Sequence, residues 1–196
     1  DGSEYFVTAV YTGTGSSRSI DNTITDGSNP QVETGDPIQF QPDFTWIKQR
    51  SSTEWHILSD AIRGTDKQVF SNSTNAEQTN STFLTSYNTD GFTVGTSTGT
   101  NGSGSTYVAW NWKAGGTAVL NEAGTIDSQV SANPTAGFSV VTFNSGASGL
   151  QSVGHGLGVA PKMVIVKDRD NVLGWNVYHS SISTDTSKFL QLNSTS

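Results

Sequence analysis

The chain has 196 residues, a net charge of −7 and no cysteine. This length suffices to bury the core of one large all-β domain or of two small ones. The ten Lys and Arg residues are scattered along the sequence, which argues against nucleic acid or an anionic membrane as the main partner. No apolar stretch reaches membrane-spanning length, and without cysteine neither disulfides nor a thiolate metal site can form.

Short strands joined by polar turns are predicted along the whole chain. Runs of Val, Ile, Phe, Trp and Tyr recur regularly between segments of Ser, Thr, Asn and Gly. The first strand-like run, Glu4 to Tyr11, ends at the glycine-containing turn Thr12 to Gly15. Residues 16–41 contain several turn-forming pairs, so we interpret them as a surface excursion.

The middle of the chain contains the next predicted strands. Phe44 to Lys48 alternates, with Phe44, Trp46 and Lys48 on one face. A short polar turn separates this run from a second strand, Trp55 to Leu58, and Lys67 to Phe70 is a third. The length of the turn predicts that the first two of these strands form a hairpin.

Two later strands frame a region of different composition. Tyr107 to Lys113 is the most apolar run in the chain, and we place Trp110 and Trp112 on a buried sheet face with Val108. Residues 114–137 are rich in Gly, Ala, Asn and Ser, and we interpret them as a connector that holds a hairpin, with strands at Thr117 to Leu120 and Thr125 to Asp127. Phe138 to Phe143 then restarts the pattern of Phe6 to Tyr11.

The sequence repeats itself, with the order of matching residues preserved. The run that begins at Pro42 returns at Pro161, although the excursion that precedes it is much shorter in the second copy. The matched residues are Phe6 with Phe138, Tyr11 with Phe143, Pro42, Lys48 and Arg50 with Pro161, Lys167 and Arg169, Trp55 with Trp175, and Lys67 and Asn72 with Lys188 and Asn193.

The second copy lacks counterparts of Phe92 to Val94 and of the Trp110 strand. A half-built sandwich exposes an apolar face and an unpaired strand edge. We therefore expect either that the polypeptide continues past Ser196 or that the missing strands come from elsewhere in the assembly, and we favour continuation. The absence of an initiator Met before Asp1 also indicates a piece of a longer polypeptide.

The predicted fold class is all-β, an antiparallel β-sandwich of jelly-roll or lectin-like type, built from a duplicated unit whose second copy is incomplete. We place the first sandwich repeat at residues 1–116, the connector and hairpin at residues 117–136, and the second, truncated repeat at residues 137–196.

Catalytic constellations are weakly supported. The three His residues, His56, His155 and His179, have no spacing that predicts a triad. Asp43 with Glu54, or Asp168 with Asp170, are conceivable carboxylate pairs, but turn capping and solvation explain them better. We therefore predict no catalytic residues, no cofactor and no metal ligands.

Two loops have some features of binding sites but lack others that such sites require. Asp168 to Asn171 offers oxygen ligands at alternate positions but lacks the Gly and Glu of a helical calcium loop. The glycine-rich run around His155 precedes a strand and has no phosphate-loop ending, so its imidazole is expected to bond a local carbonyl.

Tryptophan supplies the candidate ligand contacts. Trp55 and Trp175 fall at matching places in the two copies, which favours a repeated core role. An exposed indole beside polar loops can instead stack on the apolar face of a sugar while the loops bind its hydroxyls. Trp55 and Trp175 are therefore the candidate glycan-stacking residues.

Five motifs carry a family resemblance that spans nearly the whole chain. They are Tyr-Thr-Gly-x-Gly from Tyr11, Phe-x-Pro-Asp-Phe-x-Trp-Ile-Lys-x-Arg-Ser-Ser from Phe40, Thr-Asp-Gly-Phe-Thr-Val-Gly from Thr89, Tyr-Val-Ala-Trp-x-Trp-Lys-Ala-Gly-Gly-Thr from Tyr107, and Gly-His-Gly-Leu-Gly-Val-Ala-Pro-Lys-Met-Val-Ile-Val-Lys from Gly154. In these motifs the chain resembles a family of virion structural proteins of tailed, mostly marine, bacteriophages. Members of the family are built from tandem repeats and are tail-fibre-like. The resemblance implies a virion location and a non-enzymatic role, and it supplies no residue-level site.

From this resemblance we expect a tail fibre or appendage module involved in host attachment. Its partners would be other virion proteins and a host cell-surface glycan or receptor, with no nucleic acid and no membrane insertion. A closed homo-oligomer is expected, with a trimer as the first guess. The alternatives are a carbohydrate-binding module, a capsid-decorating protein and, with the weakest support, a glycan depolymerase.

Overall fold

A computed structural model describes residues 2–21, 40–146, 148–182 and 188–194, and the prediction of an all-β antiparallel sandwich is confirmed. A 3-10 helix spans Gly2–Glu4, and a one-turn helix, α1, spans Thr98–Asn101. The strands are β1 Phe6–Thr12, β2 Arg18–Asp21, β3 Phe44–Gln49, β4 Ile57–Asp60, β5 Lys67–Phe70, β6 Gln78–Thr79, β7 Leu84–Asn88, β8 Gly91–Val94, β9 Thr106–Trp112, β10 Val119–Asn121, β11 Ser128–Asn133, β12 Phe138–Phe143, β13 Met163–Val166, β14 Asn176–His179 and β15 Leu190–Gln191.

A six-stranded sheet in the order β1-β9-β3-β4-β5-β6 forms the centre of the molecule. β9 pairs antiparallel with β1 along its full length and with β3 from Tyr107 to Trp112. Strict alternation explains its two faces, because successive side chains of a strand point to opposite sides. Tyr107, Ala109 and Asn111 are fully buried, whereas the residues between them are half-buried.

The inner face of this sheet, defined by Tyr11, Ile47 and Ala109, packs against a second sheet in the order β2-β8-β7. Tyr11 stacks on Tyr107 at 5.1 Å between ring centroids and meets Phe92 of the second sheet edge-on. β2 lies inside the predicted excursion of residues 16–41; the rest of that excursion, residues 22–39, lies outside the described residues.

The outer face of the six-stranded sheet carries Phe44, Trp46, Trp110 and Trp112, all half-buried. The prediction that Trp110 and Trp112 lie on the buried face is therefore wrong. Tyr107, Ala109 and Asn111 face the sandwich interior instead. Trp112 stacks on Phe138, and Trp110 meets Trp46 edge-on.

The segment predicted as a connector contributes to a third sheet, β10-β11-β12. β10 and β11 form a hairpin, but its second strand begins at Ser128, after the predicted Thr125 to Asp127. β11 pairs with β12 over six residues, from Ser128 opposite Phe143 to Asn133 opposite Phe138. Residues 119–133 are thus integrated with the strand that opens the second repeat.

The fourth sheet, β13-β14-β15, repeats the β3-β4-β5 meander of the first unit. Three local hydrogen-bond patterns recur. Asn72 and Asn193 each accept a backbone N–H, from His56 at 3.0 Å and from Trp175 at 2.7 Å. Lys48 Nζ donates to the carbonyls of Gln49 and Ser52, as Lys167 Nζ does to those of Asp168 and Asn171. Ser73 and Ser194 close equivalent turns onto Phe70 and Gln191.

Strand register corrects the sequence alignment by one residue. Ile47 pairs with Ile57 in the first unit, and Val166 pairs with Asn176 in the second. With Ile47 matched to Val166, Trp175 corresponds to His56 and not to Trp55. Trp175 is 4% exposed and Trp55 is 41% exposed, so the expectation that corresponding tryptophans fill corresponding interiors is wrong.

The second unit packs on the outer face of the first. Trp175 joins Leu58, Val69, Phe44 and Trp46 in an apolar cluster, and its Nε1 donates to the carbonyls of Phe70 and Ser73. Val177, which corresponds to the outer-face Leu58, is also buried, whereas Asn176 on the opposite side of β14 is exposed. The two units therefore meet through equivalent faces.

An ion-pair network links the same two units. Glu77 accepts from Arg63 at 2.9 Å and from Arg169 at 2.9 and 3.1 Å, and its backbone N–H donates to the carbonyl of Arg169. Partial burial would raise the pKa of Glu77, but the hydrogen bonds from Arg169 and Arg63 outweigh it and hold this pKa below its usual value. The contact therefore favours the ionised carboxylate.

Candidate functional site

An aromatic cleft of about 570 Å³ opens where the first unit meets the β11–β12 hairpin. Tyr5, Phe6, Trp112 and Phe138 supply its rings, and residues 135–137 supply one wall. Trp112 is stacked on Phe138 at 5.9 Å and contacts Phe6 at 4.9 Å between ring centroids. Phe6 is 40% exposed, whereas the other three rings are half-buried, so Phe6 presents the most open ring of this cleft.

Strand geometry positions these rings. Phe6 opens β1 on the side opposite the buried Val7, and Trp112 ends β9 directly opposite Phe6 in the ladder. Phe138 opens β12 after a tight turn in which Gly137 adopts a φ of 69°, a conformation that glycine tolerates. The matched residues Phe6 and Phe138 thus contact one indole, that of Trp112.

A second cleft of about 640 Å³, which we call the polar cleft after its side chains, is lined in part by residues 132–134, which precede the hairpin residues of the aromatic cleft. Gln41, Lys113 and Asn133 line it together with the glycine-rich segment 114–117. Lys113 places its ammonium 5.8 Å from the ring centroid of Phe40. This cleft offers amide, ammonium and backbone groups within a few residues of the rings of the aromatic cleft, a combination suited to ligands with both apolar and hydroxyl-bearing faces.

Asp43 fixes the backbone of one wall of the polar cleft. Its Oδ2 accepts the N–H groups of Ala114 at 2.8 Å and Gly116 at 3.1 Å. Burial raises the pKa of this carboxyl, and the N–H groups of Gly116 and Ala114 oppose that effect without cancelling it. Glu54, its conceivable partner in a carboxylate pair, is exposed in the β3–β4 turn, and Asp43 has a structural role in holding the 114–116 turn.

The predicted glycan-stacking residues differ in accessibility. Trp175 buries its indole between the two units and offers no face to a ligand. Trp55 is exposed in the β3–β4 turn, with its ring edge-on to Phe70 at 4.7 Å, and remains a candidate. The structure does not bring Trp55 and Trp175 together as equivalent sites.

Phe6, Tyr5 and Phe138 were not among the predicted site residues. Alternation within β1 contains the signal that places Phe6 opposite the core-facing Val7. Phe6 and Phe138 both contact Trp112 because Phe138 of β12 packs against the end of β9. These strands are far apart along the chain, so no local sequence pattern predicts the contact.

The histidines make local contacts. His56 Nδ1 accepts the indole N–H of Trp46 at 2.9 Å, and burial together with nearby Lys48 lowers the pKa of His56, which favours the neutral ring that such an acceptor requires. His155 Nδ1 accepts the N–H of Leu157, which replaces the expected bond to a carbonyl. His179 accepts from Ser181 in the same way.

Asp168 closes a turn. Its Oδ1 accepts the backbone N–H groups of Asp170 and Asn171, and Oδ2 accepts the side-chain amide of Asn171. These hydrogen bonds lower the pKa of Asp168, and those from Asn171 contribute most. Within the described residues no group of three or more His, Asp or Glu side chains is arranged to hold a metal ion.

Comparison with known proteins places the chain in a family without adding a relative of known activity. No curated protein and no solved structure matches the sequence. Among the residues that the structure describes, no helix is long and apolar enough to cross a membrane. Residues 1–196 match one family along their whole length, and the chain belongs to that family, which is described as a domain of unknown function (DUF7483).

Proposed function

We propose that this chain is a non-enzymatic module of a bacteriophage virion appendage, such as a tail fibre, and that it contributes to host attachment by binding a cell-surface glycan in the aromatic cleft. The observation that carries the proposal is the pairing of clustered rings with an adjacent polar cleft at the junction of two repeated units. The motif resemblance supports the virion location.

Sugar binding would use the two clefts together. The C–H face of a pyranose ring packs on an aromatic ring, and Phe6 presents its ring to solvent above Trp112. Hydroxyl groups would reach Gln41, Lys113 and Asn133 of the polar cleft. Because Asp43 holds the backbone of residues 114–116, the cleft walls are organised before a ligand binds.

An array of neutral and N-acetylated oligosaccharides tests the binding step. We expect saturable binding that weakens on the order of tenfold in Phe6→Ala, because the loss of one stacking ring removes roughly 1 kcal/mol or more. Phe143→Ala is the matched control, since Phe143 is 39% exposed and does not line either cleft. Equal loss in both variants, or no saturable binding to any glycan, would contradict the proposal.

Trp55 is a second candidate ring for the same function. It is the exposed tryptophan of the β3–β4 turn, with polar neighbours on both sides. On the same array, Trp55→Ala is expected to leave binding at the aromatic cleft unchanged. If Trp55→Ala abolishes binding while Phe6→Ala does not, the site lies at the β3–β4 turn instead.

Antibodies raised against the purified chain test the location. We expect them to label the tails of phage particles that encode it, as seen by electron microscopy, and to slow adsorption to host cells. Labelling of the shell would favour the capsid-decorating alternative, and unlabelled particles would refute a virion role. Light scattering on the purified chain would test the trimer expected of an appendage.

A further inference from the structure

Three separate segments of the chain meet where β1 ends and β9 begins. They are residues 13–16, which join β1 to β2, Gly95, which follows β8, and residues 101–105, which lead from the end of α1 into β9. We call this arrangement the loop junction. Asn101 lies within it and is completely buried. The hydrogen bonds of this one residue tie the three segments together.

The Asn101 side chain uses both of its polar groups. Its Oδ1 accepts the backbone N–H of Thr14 at 2.9 Å, and its Nδ2 donates to the carbonyls of Ser16 and Gly95, each at 2.7 Å. The backbone carbonyl of Asn101 also accepts the N–H of Gly15 at 2.7 Å. A carboxylate accepts hydrogen bonds but donates none, so the loop junction requires the amide form of this side chain.

The same residue belongs to the one Asn-Gly pair of the sequence, Asn101-Gly102. In such a pair the peptide nitrogen of the glycine attacks the side-chain carbonyl carbon of the asparagine. A new C–N bond forms, the bond to the amide nitrogen breaks, and ammonia leaves with the peptide proton. Water then opens the cyclic imide to aspartate or isoaspartate. Glycine favours the attack because it has no side chain to block the approach.

The folded loop junction withholds both reacting groups from this chemistry. The N–H of Gly102 donates to the hydroxyl of Tyr107 at 2.7 Å, and that hydroxyl donates to the carbonyl of Thr98 at 2.6 Å. Asn101 and Tyr107 are both completely buried, which keeps away the hydroxide that removes the peptide proton and the water that opens the ring. Cyclisation therefore requires the loop junction to open first.

From these contacts we infer that Asn101 is a latent modification site, which the closed loop junction protects from deamidation and which opening exposes to a reaction whose product cannot rebuild the junction. In the product a carboxylate would face the carbonyl oxygens of Ser16 and Gly95, where the amide supplied two donors. Burial of a charge without a donor partner is costly, so the opened state would be retained. The reaction would turn a reversible loop opening into a permanent one.

Incubation of the whole chain at mildly alkaline pH, native or unfolded in urea, tests the protection, with conversion followed by peptide mapping and mass spectrometry. We expect conversion at Asn101 to be at least about a hundredfold slower in the native chain, because only the open fraction reacts. Asn144 is the internal control, since it is exposed in the folded chain and its rate should change little. In the unfolded chain, Gly102→Ala should slow conversion at Asn101 by hindering the attack.

Two tyrosine variants separate release of the Gly102 N–H from general loosening of the fold. Tyr107→Phe removes the acceptor of that N–H, so it should speed native conversion at Asn101 at least about tenfold. Tyr11→Phe is the matched control, because the buried Tyr11 hydroxyl donates to the carbonyl of Thr100 and does not hold Gly102. Equal acceleration in both variants would contradict the role of the Gly102 N–H.

Asn101→Asp supplies the product directly. We expect its melting temperature to lie about 10 °C or more below that of the wild type at about pH 8, since the buried carboxylate lacks donors. The deficit should shrink at about pH 5.5, because burial raises the folded-state pKa of the new carboxyl and its protonated form regains a donor. Asn144→Asp makes the same charge change at an exposed position, and its deficit should stay within about 2 °C.

The two experiments together decide the inference. Failure of Asn101→Asp to fold, beside a folded Asn144→Asp, would support it as a low melting temperature does. Conversion at Asn101 as fast in the native chain as in the unfolded chain would overturn the protection. A melting temperature of Asn101→Asp equal to that of the wild type at both pH values would overturn the claim that the product cannot rebuild the loop junction.

Discussion

Trp175 illustrates how one side chain can join two units. Its indole fills an apolar cluster of the first unit, and its N–H donates to the carbonyl of Phe70, which ends β5, and to that of Ser73 in the turn that follows. Trp55, which the sequence aligns with it, is exposed. Sequence alignment matches residue types, whereas the ladder between β13 and β14 determines which residue enters the interior. A one-residue difference therefore interchanges a core residue and a surface residue.

Truncation of Trp175 should destabilise the docked second unit. We expect Trp175→Ala to lower the free energy of unfolding by about 3 to 5 kcal/mol through the cavity it leaves. Trp175→Phe should cost about 1 to 2 kcal/mol, mainly for the two unpaired carbonyls. Trp55→Ala, the matched control, should cost less than about 2 kcal/mol, since its ring is partly exposed. Urea titration measures all three, and equal effects at Trp55 and Trp175 would contradict this assignment.

Glu77 should make the junction sensitive to acid. Its folded-state pKa lies below the ordinary value of 4.5, so its stabilising effect is present above that pH and is lost as the pH falls through the folded-state pKa. We expect Glu77→Gln to be less stable than the wild type at neutral pH and to lose less stability on acidification below about 4.5. Parallel curves of unfolding free energy against pH for the two proteins would refute the role of Glu77.

At the level of strands, the sequence predicts much of the meander but little of its pairing. The alternation of Phe44 to Lys48 and the apolar run of Tyr107 to Lys113 correctly indicate β3 and β9. Alternation alone does not say which face is covered. The outer face holds the largest rings and is only half-buried, whereas the inner face combines Tyr107 with Ala109 and Asn111 and is closed by a second sheet.

Gly115 lies where β11 closely approaches the chain just after β9, and its substitution tests whether that close approach is required. A β-carbon at this position would collide with the backbone carbonyl of Ala132, and the N–H of Gly115 donates to Ser131 Oγ. We expect Gly115→Ala to destabilise the chain by about 1 to 3 kcal/mol and to distort the polar cleft. Gly146→Ala is the control, because a β-carbon there would meet no atom within 4 Å and its effect should stay within about 0.5 kcal/mol. Thermal unfolding with hydrogen exchange of β11 measures both.

For the molecule as a whole, the prediction of a duplicated β-sandwich describes the first unit better than the second. The first unit is a complete sandwich, and the second presents one sheet whose inner-face residues Val164 and Val166 have no covering layer among the described residues. The absence of counterparts of β8 and β9 is evident in the sequence itself. The aromatic cleft is not evident in the sequence, because it combines residues of β1, β9 and β12, which are far apart along the chain.

The exposed face of the second unit should promote self-association near the isoelectric point. At a pH of about 4.7 the net charge vanishes and no longer opposes contact between apolar surfaces. We expect light scattering to peak near that pH and to fall in the double variant Val164→Thr and Val166→Thr, which leaves the charge unchanged. Val172→Thr is the control, and an equal fall in that variant would show that β13 is not the contact.

The way in which the two units meet also limits how such repeats can be arranged in longer polypeptides. Trp46 and Leu58 on one side, and Trp175 and Val177 on the other, belong to corresponding surfaces of the same repeated structure. A joint between like surfaces uses the same patch of both members, so the patch that Trp175 fills is closed to a third unit. A longer string of this repeat would therefore be organised in couples, and successive couples would need a different kind of joint.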